Sequence, residues 1–220
     1  MTKKSIWNDA LIGKEVSLVE FHPNILTILF ENRRYVTKIF RDIIGFYGID
    51  HISITIIDPS NEAIVFSTTP DIEYNLINQD LWRNDCLFSC KEVEDDIIVF
   101  WNKDNNTPYL NKIYDIKHKK NNYNLGMTLV RKVGGFCLLY SFATRSKDGD
   151  LKEYYLNNIG GLTNIGDHFY KSIRDIYLSY CKLHVPPNIT NFKSLLSMSK
   201  NKPYLKLVVD NINLKGHFNE

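Results

Sequence analysis

The stretch NLGMTLVRKVGGFCLLYSFAT (124–144) decides how this chain folds. Two strand-favouring runs, NLGMTLVRKV (124–133) and FCLLYSFAT (136–144), flank Gly134-Gly135. A glycine pair between such runs supplies the positive φ that a two-residue hairpin turn demands. Upstream, HISITII (51–57) and AIVFST (63–68) bracket the turn sequence Asp58-Pro59-Ser60-Asn61, which predicts a second hairpin. Side chains alternate across a strand. Ser53 and Thr55 therefore oppose Ile52, Ile54 and Ile56, while Cys137, Leu139 and Ser141 oppose Phe136, Leu138, Tyr140 and Phe142. One face of each strand is bulky and the other smaller and more polar. Periodicity alone does not choose between a pocket lining and a solvent face for the smaller one.

Helical periodicity surrounds both hairpins. From Asn24 to Tyr47, Ile28, Tyr35, Ile39, Ile43 and Phe46 recur at helical steps, and Gly45 and Gly48 end the run, predicting one amphipathic helix. Pro70 opens a short helix reaching about Trp82, and a weak helical pattern surrounds Tyr109, Ile113 and Ile116. KEVEDD (91–96) reads as a solvated acidic stretch before the short apolar segment IIVFW (97–101). A long helical pattern covers 150–180, with Gly160-Gly161 as its expected kink. This order implies an α/β/α sandwich: a central, mostly antiparallel sheet built from two hairpins, with helices on both faces. The expected organisation is a lead-in over 1–15, one domain over 16–180 and a basic extension over 181–220, with six lysines against two acids.

Composition narrows the function. A chain of 220 residues with 44% hydrophobic and 24% charged residues is globular rather than disordered. A formal charge of +2 shows no commitment to nucleic acid or a membrane surface. The N-terminus lacks the apolar run of a secretory signal, and no stretch approaches a membrane span. Cys86, Cys90, Cys137 and Cys181 are sparse, which suggests free thiols in a reducing cytoplasm. Cys86-x-x-x-Cys90 would need further ligands to hold a metal, so no metal site is expected. Neither glycine-rich nucleotide motif is present, so no cofactor is expected. The adjacent pairs Asp50-His51 and Asp167-His168 cannot face each other on a strand or a helix. No catalytic constellation stands out, and the chain reads as a non-enzyme. Lys117, Lys119 and Lys120, with Arg131 and Lys132, read as solvated surface.

Several strings, in order, carry a resemblance: FYGIDHISITIID (46–58), STTPDIEYNLINQDLWRND (67–85), VFW (99–101) and NYNLGMTLVRKVGGFCLLYSFATR (122–145). In them the chain resembles the LuxR-type autoinducer-binding domain, the signal-sensing half of bacterial quorum-sensing transcription regulators. The resemblance implies a sandwich whose cavity holds an acyl-homoserine lactone, in a cytoplasmic bacterial protein that forms homodimers. By position, Trp101 matches the aromatic over the lactone ring and Ser141 the hydroxyl near the acyl amide. Ser53, Thr55 and Leu139 match other cavity-lining positions. These matches favour the pocket reading of the small strand face.

The chain also departs from the pattern. After Pro70, Glu73 stands at the family's tryptophan position and Ile77 at its tyrosine position. Trp82 falls at a later aromatic, and Asp85 comes one residue early and precedes Cys86 rather than proline. An ionised Glu73 cannot donate a hydrogen bond, and inside a pocket it needs a cation or donor. Tyr74, one residue on, is a candidate substitute. The expected ligand is therefore a small amphipathic signal molecule other than an ordinary acyl-homoserine lactone. The alternative is a ligand-free scaffold for protein interactions. Only 40 residues follow Tyr180, against roughly 65 for a helix-turn-helix domain. Direct nucleic-acid binding is not expected, and 181–220 is the candidate segment for a protein partner.

Overall fold

The computed structural model describes residues 19–85, 88, 97–101, 108–181 and 183–189. Among these, six strands form one sheet: β1 (Glu20–Phe21), β2 (His51–Ile57), β3 (Glu62–Ser67), β4 (Ile98–Phe100), β5 (Leu125–Val133) and β6 (Phe136–Thr144). The spatial order is β1-β3-β2-β6-β5-β4. The β1–β3 pair is parallel and the others antiparallel. Both hairpins fall where the turn residues place them. Gly134 (φ 56°) and Gly135 (φ 81°) give the doubly left-handed turn that matches strand twist. In the first hairpin, Asp58 Oδ1 accepts hydrogen bonds from the backbone N–H groups of Ser60 and Glu62, at 2.8 and 2.9 Å. The hairpins join along a β2–β6 seam running from His51↔Ala143 to Ile57↔Cys137.

Six α-helices complete the described fold: α1 (Ile25–Glu31), α2 (Arg33–Ile43), α3 (Pro70–Asn78), α4 (Pro108–Lys117), α5 (Leu151–Asn157) and α6 (Ile159–Tyr180). The single helix expected over 24–47 is two helices, joined at Asn32. The break in the long C-terminal pattern sits at Asn158, with Gly160 and Gly161 in the first turn of α6. Both joints share one contact. Each asparagine turns its side-chain amide onto the carbonyl four residues back, Asn32 to Ile28 at 2.8 Å and Asn158 to Tyr154 at 2.7 Å. A side chain competing for backbone partners favours a joint over a continuous helix. Tyr35, expected on the buried face, is 44% exposed and donates its hydroxyl to Ser172 O at 3.1 Å.

Helices cover both sheet faces. On one, α1, α2, α5 and α6 pack against Ile52, Ile54, Ile56, Leu138, Tyr140 and Phe142. α6 contributes Leu162, Ile165, Phe169 and Ile173, all fully buried, at the three- and four-residue steps of an inward stripe. Gly166 lets α6 approach, because a Cβ there would overlap the Tyr140 ring. On the other face, α3 and α4 cover Trp101, Tyr123 and Ala143 with Ile72, Leu76, Ile113 and Ile116. The expected sandwich is thus the observed architecture.

Cys181 is free and buried. Cys137 corrects the sequence reading: it is disulfide-bonded. Sparse spacing suggested free thiols, but spacing along the chain does not report which sulfurs the fold brings together. The lead-in over 1–15, the KEVEDD stretch, the Cys86–Cys90 spacing and most of 181–220 lie outside the described residues.

Candidate functional site

Strand register builds the site. Ser67 pairs with Ser53, Ser53 with Ser141, and Ser141 with Thr128. Directly opposed residues share a face, so four adjacent strands each raise one hydroxyl at the same level. The small strand face is no solvent face: Ser53, Thr55, Ser67 and Thr128 are all buried. Between this row and the α3–α4 layer lies a cavity of about 50 Å³, room for roughly three or four waters. Ser53, Thr55, Glu73, Asp85, Trp101, Leu139 and Ser141 line it, seven of the nine residues singled out from sequence.

Trp101 forms one end. Its ring lies on Gly126, where any Cβ would overlap it, and its backbone N–H donates to Gly126 O at 2.9 Å. That contact is the physical reason for the glycine at the start of β5. The indole N–H donates to Thr128 Oγ1 at 2.9 Å, and Thr128 shares a 2.9 Å hydrogen bond with Ser141. His118, just after α4, braces the ring from behind. Its two nitrogens lie 3.0 Å from Trp101 O and Tyr123 O, and its ring stacks on Tyr114 at 4.3 Å. Burial pushes the His118 pKa down, against the pull of those two carbonyls.

Lys117 forms the roof. Sequence placed it on a solvated basic surface; the structure buries it at 8% exposure. Its ammonium lies 2.5 Å from Asp85 Oδ2 and 5.0 Å from the Trp101 ring centroid. It follows Ile116 and stands one turn beyond Ile113 on the inward face of α4, and that spacing was the signal available in the sequence. Paired this way, Asp85 and Lys117 offset each other's burial cost.

Glu73 comes from the first turn of α3. Although the residue as a whole is half-buried, its Oε2 is fully buried and has no hydrogen-bond partner. Burial pushes its carboxyl up to about 7, while Ser67, Ser53 and Lys117 pull the other way. Ser67 and Ser53 therefore lie close enough to favour the ionised form, while Lys117, held by Asp85, acts on Glu73 only through its charge. Ser67, Thr128 and Lys117 were not identified from sequence; the two hydroxyls emerge only from strand register.

The other two expected residues point elsewhere. Tyr74 is 37% exposed and packs edge-on against Phe30, at 5.8 Å. One residue along α3 turns a side chain by about 100°, so Glu73 and Tyr74 cannot exchange places. Trp82 is buried among Phe21 and Phe88 at 4.9 and 5.6 Å, outside the cavity wall.

Neither adjacent Asp-His pair forms a dyad. Asp50 accepts from Arg145 N, whereas His51 Nδ1 meets the Thr69 and Thr68 hydroxyls at 3.1 and 3.2 Å. Burial, then Arg145 and Lys117, push His51 down to about 3, so it is neutral. Asp167 accepts from the Tyr140 hydroxyl at 2.7 Å and pairs with Arg131 at 3.0 Å. Neither His51 nor His118 lines the cavity. Among the described residues, no group of three or more His, Cys, Asp and Glu is placed to hold a metal ion. No described helix is long and apolar enough to cross a membrane.

A larger depression of about 510 Å³ lies at the hairpin tips, around Asp58, Lys132 and Gly134-Gly135. It opens to the surface, and the carboxylate there already accepts from Ser60 and Glu62. The smaller cavity, with polar groups from three strands and two helices, is the better candidate.

No family model matches the chain, and no curated protein matches it in sequence. Among solved structures, it is similar to SdiA from Escherichia coli at 11% identity, with a TM-score of 0.49, covering 78% of this chain and 80% of that one. It is also similar to SdiA in complex with octanoyl-rac-glycerol, at 12% identity and a TM-score of 0.47, covering 78% of each chain.

Proposed function

We propose that this chain is a signal-sensing domain that binds a small molecule between the sheet and the α3–α4 layer. One observation carries the reading: four strands deliver a hydroxyl each to one buried level, where Trp101 and an unpartnered Glu73 oxygen also meet. Such convergence costs stability and serves no packing purpose. The order of the strings 46–58, 67–85, 99–101 and 122–145 supports the same reading. An ordinary acyl-homoserine lactone fits poorly, since Glu73 stands at the family's tryptophan position and the Asp85 carboxylate is taken by Lys117. A ligand larger than a few atoms must move α3 or α4 outward. That movement is the signal a partner protein reads.

Thermal unfolding with a panel of acyl-homoserine lactones and with bacterial lipid extracts tests the reading. A ligand at a hundred times its Kd stabilises by about 2.7 kcal/mol, a rise of several degrees. No shift with any member of either panel would sink it.

The cavity's small volume favours a second reading, a ligand-free scaffold used for protein interaction. Pull-downs with and without residues 181–220 discriminate. Loss of the same partners on deletion supports docking through that segment, and unchanged partners exclude it.

A further inference from the structure

We propose that the cavity selects a small organic cation, an ammonium or guanidinium head, held by Glu73. The inference rests on the sensing reading and narrows its ligand. Charge balance is the first support. Asp85 and Lys117 are both buried and neutralise each other, so an ionised Glu73 leaves one negative charge without a cation of its own. Buried charge without a partner is strongly unfavourable.

Hydrogen-bond inventory is the second support. The Trp101 N–H and the Lys117 ammonium are already donating, to Thr128 and Asp85. Glu73 Oε2 is a buried acceptor with no donor, and an ionised carboxylate can only accept. The missing group is therefore a donor, and a positively charged one also settles the charge. Size is the third: about 50 Å³ admits a head of a few heavy atoms rather than a ring with an acyl chain.

Proton linkage follows. Facing Glu73 are Ser67 and Ser53 from the sheet and Lys117 from α4, with Tyr123 near enough to feel its charge. Asp85 is held by Lys117, and His51 is neutral at any pH well above 3. An empty site keeps Glu73 largely protonated below about pH 7, so a cation entering there displaces a proton. Affinity should rise with pH, by about tenfold between pH 6 and 8, because the ionised fraction changes by that factor.

The test follows the Trp101 indole N–H resonance in the ¹⁵N-labelled full chain, assigned with Trp101→Phe. The probes are ethylammonium chloride and methylguanidinium chloride, with 1-propanol as the neutral counterpart and N-butanoyl-homoserine lactone as the sensing arm. Sodium chloride holds the ionic strength constant. The expected result is a saturable shift with both cations at pH 8, about tenfold weaker at pH 6 and at least tenfold weaker in Glu73→Gln. 1-Propanol should leave the resonance in place. Equal responses to propanol and the cations, or unchanged cation binding in Glu73→Gln, would overturn the proposal. If Glu73→Gln does not fold, the wild type at pH 6 supplies the neutral carboxyl for the same comparison. A shift with the lactone alone removes the cation inference and leaves the sensing reading standing. No shift with any probe removes the inference and deprives sensing of this cavity.

Discussion

On the α6 side of the sheet, Ile52, Ile54, Ile56, Leu138 and Phe142 meet Leu162, Ile165 and Phe169 in a mostly dry layer, whose polar exception is the Tyr140–Asp167–Arg131 cluster. On the α3–α4 side, residues one step along the same strands present Ser53, Thr55 and Ser141 to Glu73, Asp85 and Lys117. Each fully buried apolar side chain on the first side contributes roughly 1.5–3 kcal/mol. On the second side, buried polar groups come near to breaking even only when paired. The difference divides the labour within single strands: one face holds the fold together, and the other carries the polar cluster of the proposed site. The dry face is what lets the sheet tolerate an unpartnered carboxyl on the wet one.

That division can be broken most forcefully at Lys117. Lys117→Met should destabilise by about 3–5 kcal/mol, as much as Phe142→Ala on the dry face. Urea unfolding would show Asp85→Asn restoring most of the loss in the lysine variant and none in the phenylalanine one. Equal failure of rescue would mean that the polar face is packing after all.

The next effect is pH-dependent. Glu73 has its folded pKa raised to about 7, so its folded form holds a proton that the unfolded chain has released. Stability from this group is full below the unfolded value, near 4.5, and is lost as pH rises through 7. Glu73→Gln should therefore match the wild type at pH 4.5 and exceed it at pH 8, by up to about 3 kcal/mol. His51 runs the other way. Its depressed pKa, about 3, gives stability present above 6.5 and lost as pH falls through 3. Chemical denaturation from pH 4 to 8 separates the two; a profile unchanged in Glu73→Gln would place its carboxyl in water.

The smallest effect concerns the hydroxyl row. Thr128→Val keeps the shape but strands the Trp101 N–H, at a cost of about 1–3 kcal/mol. Its indole resonance should move while the dry-face methyl resonances stay in place.

Much of this was legible in the sequence, for local reasons. Gly134-Gly135 and Asp58-Pro59 carry their turn chemistry with them, and alternation on β2 and β6 marks two unlike faces. The helix breaks were not legible, because apolar periodicity continues across Asn32 and Asn158. At the site, Ser53, Thr55 and Ser141 could be read from alternation, whereas Ser67 and Thr128 join them only through pairing between distant strands. Lys117 looked like one of three surface lysines. Its neighbours in the run, Lys119 and Lys120, are exposed, so charge composition masked a position that helical phase would have revealed. Trp82 was singled out for its residue type, and its aromatic neighbours Phe21 and Phe88 explain it as core.

The β2–β6 seam has a kinetic consequence. Each hairpin closes over a short loop and can form within microseconds, whereas pairing His51 with Ala143 closes a loop of some ninety residues, an entropic cost met before any reward. Ser53 and Ser67 arrive on one hairpin, Thr128 and Ser141 on the other. The hydroxyl row therefore does not exist, even in outline, until the slowest pairing in the sheet is complete. A molecule spanning the row would act as a clasp across that seam, slowing the hairpins' separation more than it speeds their meeting.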